Sequence, residues 1–209
     1  MRQCVRTAFR ACVFLLAVMS LVHCLACASP AWAQPAAKQK GSSVKRQQSP
    51  APVPQVRHDI GKLPAPVKEM REAILAAVRS GSIEDLRHAY ELNELKPDLG
   101  VKPAGDVVAH WKQTSGDGEG REILAALAGI LEAGYVELPL GADLENNRVY
   151  VWPYLAEVPL GMLTPAQEVD LLRLVPPAVA KEMKAKGKYA HWRLAIGADG
   201  TWHFFRKGE

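Results

Sequence analysis

Cysteine is confined to the start of this 209-residue chain, and everything after residue 27 lacks it. A protein built from the later residues forms no disulfide, no thiolate metal site and no cysteine nucleophile. Its stability then depends on an apolar core alone. The four cysteines are Cys4, Cys12, Cys24 and Cys27.

Charged residues are missing from residues 11–27, which read ACVFLLAVMSLVHCLAC. Three arginines and no acid precede this run, and Ala31-Trp32-Ala33 follows it. A basic start, an apolar run and a small-x-small site together are typical of a secretory signal peptide. The alternative is a retained membrane anchor, but a membrane-spanning helix needs about 20 consecutive apolar residues, and this run is shorter. We predict a signal peptide over residues 1–33, cleavage after Ala33, and a periplasmic or secreted protein that meets the membrane only before cleavage.

Large apolar residues are scarce in residues 34–63, which contain six basic residues and one acidic residue. Such a composition buries too little surface to offset its ordering entropy, so we predict a disordered basic tail rich in Pro, Gln and Ser. The tail is either a plain linker or a spacer attracted to an anionic membrane or cell wall. Residues 64–209 form the predicted single domain, with 21 acidic and 17 basic residues. This balance lacks the concentrated basic face of a nucleic-acid binder, so no nucleic-acid partner is expected.

Helical spacing of apolar residues fills the first half of this domain, and alternation of period two appears later. The predicted helices cover residues 65–80, 83–95, a short segment after Asp106, 121–133, 164–174 and 178–186. Ser82 is predicted to cap the second helix and Asp106 the third, and Thr164-Pro165-Ala166-Gln167 is a predicted capping box at the start of the fifth. The predicted strands cover residues 135–140, 148–155, 190–196 and 201–206. This order predicts an α+β fold, with a helical layer packed on one face of a small antiparallel sheet of about four strands that includes a C-terminal β-hairpin.

The register of that hairpin decides which side chains share a face. We predict a three-residue loop in which Gly200 is left-handed and Gly197 pairs with Thr201. One face then carries Trp192, Leu194, Ile196, Trp202 and Phe204. The other carries His191, Arg193, Ala195, His203 and Phe205.

Two resemblances follow from longer stretches of sequence. AVRSGSIEDLRHAY (77–90) resembles the opening helices of the nuclear-transport-factor-like superfamily. Four other segments resemble an uncharacterised family of exported alphaproteobacterial proteins, and the resemblance to this family covers most of residues 65–207. That family has no assigned activity, so this resemblance implies export and a single domain but no chemistry. The four segments are GDGEGREIL (116–124), VYVWPYLAEVPL (149–160), LTPAQEVDLLRLV (163–175) and DGTWHFF (199–205).

Of these segments, the glycine-rich run from Gly116 to Gly120 is the one whose pattern most resembles a ligand-binding loop. Its exposed amides stand just before a helix, where they could hold an anion. However, the P-loop Lys-Ser/Thr is missing, and Asp117, Glu119 and Glu122 would repel a phosphate. Those acids could instead hold Ca²⁺, but the EF-hand spacing is not met. The alternative is a tight turn in which Asp117 or Glu119 caps the helix that starts near Arg121.

Tyr150, Trp152 and Tyr154 alternate along one predicted strand, so their rings are expected on one face. An exposed aromatic face stacks on sugar rings or on an apolar peptide, which makes these residues and Trp111 candidates for ligand binding. The alternative is that the three rings form the core face of the sheet, because sheets bury their bulkier side.

Catalytic and metal signatures are absent from the sequence: there is no HExxH, no GxSxG and no metal-spaced histidine pair, so no metal and no cofactor is expected. Should the protein be an enzyme, the base, acid and cation would be His110, Asp117 and Arg121. The leading prediction is a periplasmic, non-catalytic binding or interaction domain for a small ligand, cell-wall material or another envelope component. The alternatives are a small periplasmic hydrolase and a structural envelope protein without a ligand.

Overall fold

The computed structural model describes residues 53–100, 102, 105–141 and 147–209. The predicted signal peptide, its cleavage site and most of the predicted tail lie outside the described residues. Helices and a five-strand antiparallel sheet combine in the described part of the chain, which confirms the α+β class. Within those ranges no helix is both long and apolar enough to cross a membrane.

The helices follow the predicted order. The second is shorter than predicted, because Ile83–Asp85 forms a 3-10 turn and the Ser82 side chain makes no capping hydrogen bond. Asp106 caps the third helix as predicted, accepting from the Val108 amide at 2.9 Å. The six helices are α1 (Ala65–Ser80), α2 (Leu86–Glu91), α3 (Val107–Thr114), α4 (Arg121–Glu132), α5 (Pro165–Leu174) and α6 (Pro177–Lys186).

The five strands lie side by side in chain order, each antiparallel to the next, and the last two form the predicted C-terminal hairpin. Four short connections would suffice for such a meander, but long helical segments separate β1 from β2 and β3 from β4. The strands are β1 (Val56–Arg57), β2 (Tyr135–Pro139), β3 (Arg148–Trp152), β4 (Trp192–Gly197) and β5 (Trp202–Lys207).

The first strand lies inside the segment predicted to be a disordered tail. Val56 pairs with Val136 and Arg57 with Tyr135, and the Tyr135 hydroxyl donates to the Asp59 carbonyl at 2.9 Å. The prediction that the domain begins at residue 64 is therefore wrong, because Val56 and Arg57 already form a strand of the sheet. The residues that pair with β1 belong to a strand almost 80 residues later in the chain. The composition of the sequence near residue 56 therefore gives no indication of this pairing.

Helices cover both faces of the sheet, whereas the sequence predicted a helical layer on one face. The first core packs α1 to α4 against Tyr150, Trp152 and Leu194. The second core packs α5 and α6 against strand residues that point the other way, such as Val151 and Ala195. Both sides of β3 and β4 are apolar, so both need cover from water.

The hairpin loop is the one predicted, since the Gly197 amide donates to the Thr201 carbonyl at 2.8 Å and Gly200 has a φ of 89°. Beyond the loop, Ile196 pairs with Trp202 and Ala195 pairs with Phe204, so a bulge inserts one extra residue into β5.

That bulge exchanges the faces of two aromatic residues. Phe205 joins Trp202 in the first core, and Phe204 packs against the second. The predicted assignment of these two phenylalanines is therefore wrong, because one inserted residue reverses the alternation that follows it.

The outer edge of β5 is covered by the segment around Asp98. The Asp98 amide donates to the His203 carbonyl at 2.9 Å, and the Phe205 amide donates to the Asp98 carbonyl at 2.9 Å. This parallel bridge pairs backbone groups that an edge strand would otherwise leave open. It also places Leu99 and Gly100 beside the end of β5.

Candidate functional site

A cavity of about 330 Å³ lies between α3, the start of α4 and the outer end of the β4–β5 hairpin. We call it the aromatic cavity. Its volume is at the lower end of the range of about 300–1,000 Å³ that is usual for small-molecule sites. Its lining residues are Leu99, Gly100, His110, Trp111, Thr114, Ile123, Trp192, Phe205, Arg206, Lys207 and Glu209.

Stacked rings build the apolar wall of this cavity. The Trp192 and Phe205 rings lie 4.5 Å apart at an angle of 14°. Trp111 stacks on Trp202 at 6.4 Å and meets the edge of the Tyr90 ring at 5.9 Å. Each such pair adds about 0.5–1.5 kcal/mol beyond the area that it buries, so the wall is held in one arrangement.

One donor in the wall has no partner. Trp111 is buried, and its Nε1 atom makes no hydrogen bond within the described ranges. A buried N–H without an acceptor is unusual, because it loses water without gaining a replacement. The only polar group of this indole is therefore unused in a side chain that lines the cavity.

Cationic side chains at the end of β5 lie beside the aromatic wall. The Lys207 ammonium lies 5.1 Å from the centre of the Trp192 ring, a cation–π distance. The Arg206 Nε atom lies 3.6 Å from an Asp98 carboxylate oxygen. Burial, and then the charge of Lys207, lowers the pKa of His191 from its ordinary value. The aromatic cavity thus has an apolar wall and a positively charged end.

The three candidate catalytic residues are placed in two different settings. His110 lines the aromatic cavity, and the lining includes neither Asp117 nor Arg121. Among the described residues, no hydrogen bond or ion pair joins His110 to either of them. Arg121 instead lies 3.8 Å from the Asp117 carboxylate. The structure does not bring the predicted base, acid and cation together.

The Asp117 carboxylate is occupied by its own loop. One oxygen accepts from the Glu119 and Gly120 amides at 3.2 and 3.1 Å, and the other accepts from the Arg121 amide at 3.2 Å. The Ser115 hydroxyl also donates to it, and this bond together with the amides lowers the pKa of Asp117 from its ordinary value. Asp117 therefore caps the start of α4 instead of facing a substrate.

The rest of the glycine loop fits the tight-turn interpretation. The Gly116 amide donates to Glu122 Oε2 at 2.6 Å, across the turn. These loop amides bind the carboxylates of the same chain, and those carboxylates would also repel an incoming anion. The alternative of an anion site in this loop has no support in the structure.

The aromatic residues of β3 do not form an exposed stripe. Tyr150 and Trp152 are 5% and 0% exposed and pack on Tyr135 with ring centres 5.9 and 5.3 Å apart. Tyr154 follows Pro153 in a 3-10 turn, lies in the second core and donates to Asp170 at 2.8 Å. Burial contradicts the surface interpretation, and the core alternative holds for Tyr150 and Trp152. Tyr154 leaves their face because the strand ends at Trp152.

The residues that sequence reasoning missed come from the hairpin and its flank. Trp192, Phe205, Arg206 and Lys207 line the aromatic cavity, yet only His110 and Trp111 of the sequence candidates do so. The alternation of side chains along β4 and β5 was the one sequence pattern that could have identified these cavity residues. The alternation predicted the wrong phenylalanine, because the bulge in β5 turns Phe205 instead of Phe204 toward Trp192.

Comparison with protein-family models, with curated proteins and with solved structures found no match. Both family resemblances therefore stay predictions. In the part of the chain that the structure describes, no group of three or more His, Cys, Asp or Glu side chains is placed to hold a metal ion.

Proposed function

We propose that this chain is an exported, non-catalytic binding domain whose aromatic cavity holds a small ligand with a flat apolar body. The observation that carries the proposal is the cavity of about 330 Å³ with the stacked rings of Trp192 and Phe205 along its wall. Small-molecule sites are concave and mostly apolar, with a few polar groups that fix orientation. His110 and Thr114 supply such groups here.

Binding is favoured over hydrolysis by the surroundings of the polar residues. A hydrolytic site needs a nucleophile or an activated water beside a base that a third group orients. His110 has no such partner among the described residues, and Asp117 is engaged in capping α4. A structural envelope protein without a ligand is less well supported, because such a protein has no need of an open aromatic cavity.

The location and the partner class belong to the same proposal. The predicted signal peptide supports export, and the expected mature protein begins at Gln34. Mass spectrometry of the protein recovered from the envelope fraction tests that expectation, and an intact Met1 would contradict it. In that compartment the ligand is a small envelope metabolite or a fragment of cell-wall material.

The binding site is tested with neutral aromatic probes. Indole and 2-naphthol are titrated into the purified exported protein by isothermal titration calorimetry. We expect binding to one site, weakened at least about tenfold in Trp192→Ala because the stacking surface is lost. His110→Ala removes a polar contact and weakens binding less, whereas His88→Ala changes an exposed histidine of α2 outside the cavity and leaves binding unchanged.

Thermal melting of each variant shows whether it is folded at the titration temperature. No binding of either probe to the wild type, or equal binding by the folded Trp192→Ala variant, would overturn the proposal. Should Trp192→Ala fail to fold, the probe affinities of His110→Ala and His88→Ala are compared instead. Weaker binding in His110→Ala alone places the site in the aromatic cavity.

A further inference from the structure

A second cavity of about 170 Å³ adjoins the aromatic cavity, and Arg206, Lys207 and Glu209 line both. We call it the basic cavity. Its lining is mainly charged, with four cationic side chains around one small space. The lining residues are Ala156, Lys188, Tyr189, Arg193, Arg206, Lys207, Gly208 and Glu209.

Two of these cations are held directly opposite each other. Arg193 of β4 pairs with Arg206 of β5 in the antiparallel register. Both share the face of Phe204, and their guanidinium carbons lie 4.9 and 5.5 Å from the centre of its ring. Like charges directly opposite on neighbouring strands destabilise a sheet. The sheet therefore keeps two repelling groups in fixed positions above one aromatic ring.

Both guanidinium groups have unused donors. The Nε atoms of Arg193 and Arg206 are buried and have no hydrogen-bond partner in the described part of the chain. The acids nearest to them are Glu157, 3.7 Å from an Arg193 nitrogen, and Asp98, 3.6 Å from Arg206 Nε. These distances exceed the 2.7–3.2 Å of a normal N–H···O bond. The two carboxylates offset charge without satisfying the donors.

We infer that Arg193 and Arg206 form a binding site for an oxyanion group, either a carboxylate or a phosphate. A guanidinium group presents its N–H donors in a planar fork that matches two oxygens at once. An oxyanion in the basic cavity accepts from the guanidinium groups that line it and screens the repulsion between the arginines. Lys188 and Lys207 add attraction, while Asp98, Glu157 and Glu209 limit the excess of positive charge.

The anion site also defines the ligand class of the aromatic cavity. Because the two cavities share lining residues, one ligand with a flat apolar body and an anionic end spans both. This extension rests on the proposed function, whereas the anion site itself does not.

The anion site is tested with inorganic phosphate and with acetate, each titrated at constant ionic strength against sodium chloride. The readout is the arginine Nε–H signals in a ¹⁵N correlation spectrum of the purified exported protein. We expect saturable shifts of two such signals, which Arg193→Gln and Arg206→Gln assign. Shifts with acetate alone identify a carboxylate site, and shifts with phosphate alone identify a phosphate site. Saturation of neither signal by either anion would overturn the inference.

A stability measurement separates this site from a general charge effect. In chloride, Arg206→Gln is expected to melt no lower than the wild type, since it relieves repulsion. The anion that binds raises the melting temperature of the wild type but not that of Arg206→Gln or Arg193→Gln. Arg173→Gln removes one exposed positive charge from α5 that lines neither the aromatic nor the basic cavity, and it is expected to keep the wild-type response. An equal response of Arg206→Gln and the wild type would contradict the inference.

The link between the cavities has its own test. 2-Naphthoate is expected to bind the wild type about tenfold more tightly than neutral 2-naphthol, and Arg193→Gln removes the difference. Binding of phosphate or acetate without binding of either naphthalene would leave the anion site standing and refute the aromatic cavity as a ligand site. Equal affinity for the two naphthalenes would refute the spanning ligand.

Discussion

Two glycines of the loop before α4 have left-handed backbones but different surroundings. Gly118 has a φ of 68°, and a Cβ atom added there would meet nothing within 4 Å. Gly120 has a φ of 82°, and an added Cβ atom would lie 2.6 Å from two carbons of Ile83. Gly118 requires glycine for its backbone alone. Gly120 requires it also because Ile83, in the 3-10 turn before α2, approaches too closely for a side chain.

These two glycines give a matched pair of substitutions. Gly118→Ala is expected to lower the free energy of unfolding by about 1–2 kcal/mol, the penalty of a left-handed alanine. Gly120→Ala adds overpacking against buried Ile83, which brings about 1–3 kcal/mol more. Urea unfolding followed by circular dichroism measures both. Equal losses in the two variants would show that the contact between Gly120 and Ile83 is not as close as described.

At the scale of elements, the start of α5 shows how a short motif fixes a boundary. The Thr164 hydroxyl accepts from the Gln167 amide at 3.3 Å, and the Thr164 amide donates to the Gln167 side chain at 2.9 Å. This reciprocal capping box, with Pro165 in the first turn, satisfies two amides that the helix leaves open. Ser82 stands at an equivalent place before Ile83–Asp85, but its side chain forms no such bond.

The two caps are compared by removing each hydroxyl. Thr164→Ala is expected to reduce the free energy of unfolding by about 1 kcal/mol, because a helix amide loses its acceptor. Ser82→Ala is expected to change it by less than about 0.5 kcal/mol, as for other surface changes without a specific contact. Both values come from chemical denaturation. A larger loss for Ser82→Ala than for Thr164→Ala would refute the assignment of the caps.

At the scale of the whole molecule, a single sheet joins two cores. The first contains Trp111, Trp152 and Trp202, whereas none of the tryptophans in the described ranges belongs to the second. Leu171 of α5 is buried in the second core, and its neighbour Leu172 is 49% exposed. Tryptophan fluorescence therefore reports on one core while a substitution perturbs the other.

Leu171→Ala tests whether the two cores unfold together. The cavity it creates is expected to lower the free energy of unfolding by about 2–5 kcal/mol, while Leu172→Ala on the exposed side changes little. Because β3 and β4 contribute to both cores, the loss should appear equally in tryptophan fluorescence and in far-UV circular dichroism. A fluorescence transition that stays at the wild-type position would show that the second core unfolds separately.

Local patterns in the sequence determined most of the helices and the hairpin loop. The spacing of apolar residues placed α1 and α4 within a few residues. The capping box of Thr164 and Gln167 placed the start of α5, and Gly200 predicted the loop geometry. These features depend on hydrogen bonds and side chains only a few positions apart. The α+β class followed from their order, and the absence of cysteine after residue 27 holds whatever the fold.

Only the tertiary structure decided the position of β1, the cover on the second face and the residues of the candidate site. Val56 pairs with a strand about 80 residues away, and the bulge in β5 selects which phenylalanine meets Trp192. Arg193 and Arg206 lie opposite each other solely because of that register. Such contacts depend on pairing between segments that are remote in the chain, and no local pattern encodes where the partner of a strand will lie.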